Sequence, residues 1–189
     1  IQTSGDKLVP LSKITNVKRG FTTGANEFFY VVNVMYGIKT GANDFFYIVD
    51  DTEKAKTLSD KEYKLIFGVE KEKHIKAKVW EKYGWYYSEM NNRHYMIERF
   101  YLKPVFKTQK EAVNLDVEIK NLKHHVIICP DNKDKLSKFK NKILKYIEDA
   151  EANGLDKRPS VQGRKIWYDL SSAAVIGDFI FPSKIGEKY

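Results

Sequence analysis

Three stretches of the chain carry clear patterns of apolar and polar positions. Residues 84–102, GWYYSEMNNRHYMIERFYL, are aromatic and β-prone, and the pair Asn91–Asn92 in their middle marks a turn, so this segment predicts a hairpin. The run HHVIICP at 124–130 is continuously apolar after its histidines and short, as a buried strand is. Residues 131–153 switch to helical spacing, with Leu136, Phe139, Ile143, Ile147 and Ala150 along one face and lysines on the other. Asp131 and Asn132 stand where N-terminal caps belong, and Gly154 where a C-terminal cap belongs, so one long amphipathic helix packed on a sheet is predicted there. Weaker signals fill the gaps: helical or loop-like at 51–68, very polar at 71–82, a short helix at 107–115, loop then strand at 157–170, and a last strand within 173–189. The fold class expected is mixed α+β, with antiparallel strands and hairpins packed against the one long helix.

The pattern near the start is written twice. NVKRGFTTGANEFFYVV at 16–32 is followed at once by NVMYGIKTGANDFFYIV at 33–49, with eleven of seventeen positions identical. In each copy a Thr-Gly-Ala-Asn turn precedes an aromatic, β-branched run. Gly24 and Gly41 can take positive φ, and Asn26 and Asn43 tolerate the left-handed region or close an Asx turn. Each copy therefore reads as strand, tight turn, strand, and the two in tandem as a small antiparallel meander. The copies differ before the turn: Lys18 and Arg19 in the first stand where the second has Met35 and Tyr36, and Thr22 where the second has Lys39.

Composition narrows the class. The 189 residues are 42% hydrophobic and 14% aromatic, enough for one domain with a real core. The formal net charge is +8 and the isoelectric point about 9.3. That balance points to a polyanionic partner, nucleic acid first and an anionic membrane second, against the plainer reading of a lysine-rich soluble surface. The single cysteine, Cys129, has no partner for an internal disulfide, which fits a reducing, cytoplasmic setting. No apolar run approaches the roughly 18 residues of a membrane span. The chain opens without Met or a signal peptide and reads as the middle of a longer protein.

Candidate catalytic groups are few. Glu118-x-Lys120 is half of a metal-dependent nuclease signature, but such a site needs another acid on a neighbouring strand, and the one Pro-Asp pair, Pro130–Asp131, lies downstream instead of upstream. A Mg²⁺-dependent nuclease centred on this pair is the enzymatic alternative. His124 and His125 are adjacent, so on a strand they point to opposite faces, which spoils them as joint metal ligands with Cys129. No phosphate loop, dinucleotide fingerprint or Ser/His/Asp arrangement occurs, so the fragment itself is expected to be non-catalytic and to hold no cofactor or metal.

What remains is a binding surface. Arginine is scarce beside lysine, and Arg158 and Arg164 bracket PSVQG, with Lys165, Trp167 and Tyr168 just beyond. Arginine pairs with guanine edges, Asn and Gln with adenine, and Lys, Ser and backbone amides hold phosphates. Arg158, Ser160, Gln162, Arg164 and Lys165 supply that vocabulary within eight residues; the competing reading is a polar loop entering a Trp-Tyr strand that packs on the core. The candidate DNA contacts are these five together with Lys18, Arg19, Thr23, Gly24 and Asn26 of the first turn and Lys39, Thr40, Gly41 and Asn43 of the second.

These segments resemble a known family. VKRGFTTGANEFFYV at 17–31, then RFYLKPVFKTQKEA at 99–112, then NGLDKRPSVQGRKIWYDL at 153–170 are similar, in that order, to the C-terminal target-recognition domain of N6-adenine DNA methyltransferases of restriction-modification systems. The most specific element is Gly-x-x-Thr-Gly-x-Asn followed by aromatics, and next Arg-x-x-Trp-Tyr. The resemblance implies a single target-recognition domain over 1–189 that binds double-stranded DNA sequence-specifically. It also implies a separate N-terminal domain that holds S-adenosylmethionine and an Asn-Pro-Pro-Tyr type motif, which this sequence lacks. A specificity subunit of a multi-subunit restriction system is the nearest alternative. The second copy of the turn departs from the family pattern and leaves open which copy takes the family position; the basic pair in the first copy predicts that Arg19 contributes more to DNA binding than Tyr36.

Overall fold

The computed structural model describes residues 29–36, 38, 40–107, 111, 116–173 and 176–180. In chain order the elements are β1 (Phe29–Tyr36), α1 (Asn43–Phe46), β2 (Tyr47–Asp50), α2 (Thr52–Thr57), α3 (Asp60–Phe67), α4 (Lys71–Lys76), α5 (Val79–Lys82), β3 (Tyr83–Ser88), β4 (Arg93–Glu98), β5 (Leu102–Phe106), β6 (Asp116–Val117), β7 (His124–Ile127), α6 (Lys133–Lys138), α7 (Ile143–Ala152), α8 (Pro159–Gln162) and β8 (Ile176–Ile180). The fold is mixed α+β, as the patterning predicts. The described residues fall into two compact units, one within 1–38, 106–121 and 175–189, the other within 39–105 and 122–174.

The larger unit is built on an antiparallel sheet in the order β4-β3-β2-β7-β5. The hairpin predicted at 84–102 is β3 and β4, in register from Tyr83↔Glu98 to Ser88↔Arg93, and Asn92 closes its turn at φ +53°. The predicted buried strand is β7, which pairs with β2 and β5, and Val126 and Ile127 are fully buried. Between β2 and β3 the charged segment 51–82 makes four short helices. One of them, α3, starts in a capping box in which Ser59 and Glu62 exchange hydrogen bonds, and it stops at Gly68 in the left-handed conformation.

The predicted long helix is two helices. Asn132 caps α6 through its side chain, which accepts from the Lys135 N–H. The chain then turns at Lys140, φ +52°, and Phe139 is 63% exposed instead of packing in the core. Helix α7 restarts on a buried carboxylate: Glu98 at the end of β4 accepts from the backbone N–H of Lys142 at 2.7 Å and of Ile143 at 3.2 Å. Two unpaired helix N–H groups and the positive end of the helix dipole thus find an anion that is only 1% exposed. Ile143, Tyr146, Ile147 and Ala150 face the core.

The tandem segments do not form a meander among the described residues. β1 lies in the smaller unit between β6, parallel, and β8, antiparallel, whereas β2 pairs with β3 and β7. The second aromatic run is also not a strand throughout. Asn43–Phe46 is one helical turn, closed by the Ala42 carbonyl accepting from Phe45 and Phe46 N–H at 3.1 and 3.0 Å. Phe45 and Phe46 are both fully buried. Neighbours on a strand point to opposite faces, and the helical turn lets both rings enter one core.

Segment 157–170 differs from the predicted loop-then-strand. Pro159 opens α8 at the first helical position, where its missing N–H costs nothing, and Trp167 and Tyr168 lie in turns. Both are tied to helices and their flanks instead of to a sheet: Trp167 Nε1 donates to Glu151 at 3.1 Å, and the Tyr168 hydroxyl to the Asp131 carbonyl at 2.9 Å. The last strand is β8. The helix predicted at 107–115 falls outside the described residues except for Lys107 and Glu111. Among the described residues no helix is long and apolar enough to cross a membrane.

Candidate nucleic-acid interface

The larger unit brings the second Thr-Gly-Ala-Asn turn against the 158–164 loop, more than a hundred residues later in the chain. The turn is shaped first by its own side chains. The Thr40 hydroxyl, 1% exposed, donates to Asn43 Oδ1 at 2.5 Å and accepts from the Ala42 N–H at 3.2 Å. Gly41 sits at φ +73°. A Cβ at this position would stand 2.7 Å from the Ser160 carbonyl oxygen, so glycine is required for backbone conformation and for space alike.

Three side chains of the loop then hold the turn. Arg158 places Nη1 at 2.6 Å and Nη2 at 2.7 Å from the two carboxylate oxygens of Asp44. Ser160 Oγ donates to the Gly41 carbonyl at 2.6 Å. Arg164 Nη2 donates to the Thr40 carbonyl at 2.6 Å and Nη1 to the Trp167 carbonyl at 3.2 Å, with its guanidinium 5.3 Å from the Phe46 ring centre. Beneath, the Phe45 ring stacks on Tyr146 and meets Trp167, at 4.9 and 4.6 Å between centres, and the Tyr146 hydroxyl donates to the Phe45 carbonyl at 2.7 Å.

Electrostatics follow the pairing. The Arg158 hydrogen bonds hold the Asp44 carboxyl below its ordinary range against the opposing effect of burial, and Asp44 in turn raises the Arg158 guanidinium. Burial lowers Arg164, which lies over an aromatic ring among carbonyls.

Of the sequence-predicted site residues, Thr40, Gly41, Asn43, Arg158, Ser160 and Arg164 meet in this one arrangement. Asn43, Gln162 and Lys165 are exposed on the same turn and loop, with Lys157 just before them. Lys18, Arg19, Thr23, Gly24, Asn26 and Lys39 lie outside the described residues. The sequence reading passed over Asp44, Phe45 and Tyr146. Asp44 had a signal: each copy of the turn places an acid, Glu27 or Asp44, directly after Asn.

The other candidate groups are placed as follows. Glu118 and Lys120 pair with each other at 2.5 Å in the open. His125 Nε2 is 4.0 Å from Asp50, and burial pushes the Cys129 thiol up to about 12. Among the described residues no three His, Cys, Asp or Glu side chains come together as a metal site would need.

No curated protein and no solved structure matches the chain. The family model described as the C-terminal domain of the type II methyltransferase M.Eco57I matches residues 30–188. The match takes in the second turn and the whole 158–165 loop and begins after the first turn. It spans most of the sequence, and the chain belongs to this family of type II methyltransferase C-terminal domains.

Proposed function

We propose that the chain recognises double-stranded DNA sequence-specifically, as the specificity domain of an N6-adenine methyltransferase. In this reading an N-terminal domain of the same cytoplasmic protein binds S-adenosylmethionine and performs the transfer, and this domain sets where it acts. The observation that carries the reading is the clamped pair of turn and loop. A readout surface must be held rigidly, and here Arg158, Ser160 and Arg164 hold the backbone on which Asn43, Gln162 and Lys165 are exposed. Gln and Asn suit adenine edges, and Lys suits phosphate. The net charge of +8 supplies sequence-independent affinity, with each neutralised phosphate adding about 0.9 to the slope of log affinity against log salt.

The test is a set of duplex-binding isotherms at several salt concentrations, on the site found by mapping adenine methylation in the parent organism's DNA and on a scrambled duplex. Tighter binding to the mapped site, and weakening on both duplexes as salt rises, is expected. Equal affinity for the two duplexes rejects sequence recognition. Affinity that does not fall with salt rejects the DNA-binding role altogether.

A further inference from the structure

Helices α2, α4 and α5 border an open cavity of about 300 Å³, none of whose lining residues belongs to the turn and loop described above. Its aromatic wall is Trp80 and His74, edge to face with centres 6.1 Å apart. Tyr63 and Phe67 back them, at 6.3 and 5.6 Å from the Trp80 ring. The wall is held in place: Arg99 Nε donates to the Trp80 carbonyl at 2.9 Å, and the Tyr63 hydroxyl lies 2.7 Å from His74 Nδ1. Burial raises the Tyr63 hydroxyl, and burial with the nearby Lys142 lowers His74, so at neutral pH the hydroxyl keeps its proton and the imidazole is uncharged. The hydrogen bond with Tyr63 takes up Nδ1 and leaves His74 its other ring nitrogen, Nε2.

The rest of the lining is cationic and apolar. Lys56, Lys71 and Lys78 outnumber the one carboxylate, Glu81, and Ile75 is 59% exposed. The lysines rest on partners they can exchange. Lys56 pairs with Glu53 at 2.6 Å and Lys78 with Glu81 at 3.6 Å, both on the surface, and Lys71 donates to the Leu58 carbonyl at 2.8 Å. A hollow of this size with an aromatic wall, a ring nitrogen and a net positive rim selects for a planar anion that can hydrogen-bond. Aliphatic anions would leave the aromatic wall unused; uncharged aromatics would leave the lysines unused.

We propose that this cavity binds a nucleotide, its base against Trp80 and Ile75 and its phosphate among the lysines. Base-on-aromatic contact tolerates any base, so the site takes nucleotides without regard to sequence. Two sources share this chemistry: a free nucleotide, and an unpaired nucleotide within a nucleic-acid strand.

The experiment is calorimetric titration of the whole chain with dAMP, deoxyadenosine, inorganic phosphate and a short single-stranded oligonucleotide, repeated on Lys56→Gln/Lys78→Asn. Both replaced residues are exposed, and Asn suits the left-handed backbone at 78, φ +49°, so unchanged melting is the control for folding. Saturable dAMP binding is expected, weaker binding of deoxyadenosine and of phosphate alone, and a loss of about fivefold for dAMP but not deoxyadenosine in the double variant. An oligonucleotide that binds tighter than dAMP, and loses affinity in the double variant, assigns the site to a strand; one that binds no tighter assigns it to the free nucleotide. Absence of saturable dAMP binding, or a double variant that binds dAMP as the wild type does, overturns the proposal. The inference stands on the cavity alone, and its failure leaves duplex recognition by the turn and loop untouched.

Discussion

Arg158 meets Asp44 with both prongs of its guanidinium, at 2.6 and 2.7 Å from the two carboxylate oxygens, across 114 residues of chain. The pair is half exposed, so its net worth is that of a well-oriented surface bridge, about 1 kcal/mol. Its larger effect is positional. It fixes the start of α8 against the turn whose exposed edge is proposed to face DNA.

Removing either partner is therefore expected to cost about 1 kcal/mol, and the Arg158→Ala/Asp44→Ala double variant little more than either single one. Urea denaturation of the four proteins measures this directly. Asp44 has a depressed carboxyl pKa in the folded state, so its contribution is full above the ordinary carboxylate range near pH 4 and is lost as pH falls through the lowered value. The stability gap between wild type and Arg158→Ala should stay constant from pH 7 to pH 5 and close below pH 4. A gap that closes already at pH 6 would assign the coupling to another group.

Gly41→Val should destabilise by at least about 2 kcal/mol, because it combines a β-branched residue at φ +73° with a Cβ 2.7 Å from the Ser160 carbonyl oxygen. Gly24→Val, at the matching position of the first copy, is the comparison, since the second copy's glycine is the one that stands beside Ser160. Thermal melts of the two variants decide which copy the fold depends on. Equal losses would mean that both glycines are structurally required.

Arg164→Ala should lower the melting temperature and weaken binding to cognate and scrambled duplex alike, because its donors are taken up by the Thr40 and Trp167 carbonyls. Gln162→Ala is expected to cost about 1–3 kcal/mol on the cognate site and little on the scrambled one, and Lys165→Ala to reduce the salt slope by about 1. A loss confined to the cognate duplex in Arg164→Ala, with melting unchanged, would return base readout to the arginine.

Glu98→Ala should be among the costliest single changes in the larger unit, about 2–4 kcal/mol, since it strands the Lys142 and Ile143 N–H groups at a buried helix start. Glu98→Gln keeps one acceptor oxygen and should recover part of that loss. Hydrogen exchange at the first turn of α7 would show the difference residue by residue.

Local pattern alone determined the elements whose neighbours in sequence are also their neighbours in space. The β3–β4 hairpin follows from aromatics around Asn91–Asn92, strand β7 from the apolar run at 126–129, and the cap of α6 from Asn132. The family was legible for a related reason, because the resemblance rested on short contiguous segments, two of which, 99–112 and 153–170, lie within the matched residues. Tertiary structure decided what depends on partners far along the chain. The break between α6 and α7 needs the Glu98 carboxylate, which a helical period at 136–150 does not reveal. The conversion of Asn43–Phe46 from strand to helical turn needs a core that takes both rings at once. The assignment of Arg158 and Arg164 to Asp44 and the Thr40 carbonyl needs the turn to be folded beside them. A scarce arginine in a polar loop carries the same one-letter code whether its donors face a base or a backbone carbonyl, and only the fold determines which acceptor stands within 3 Å.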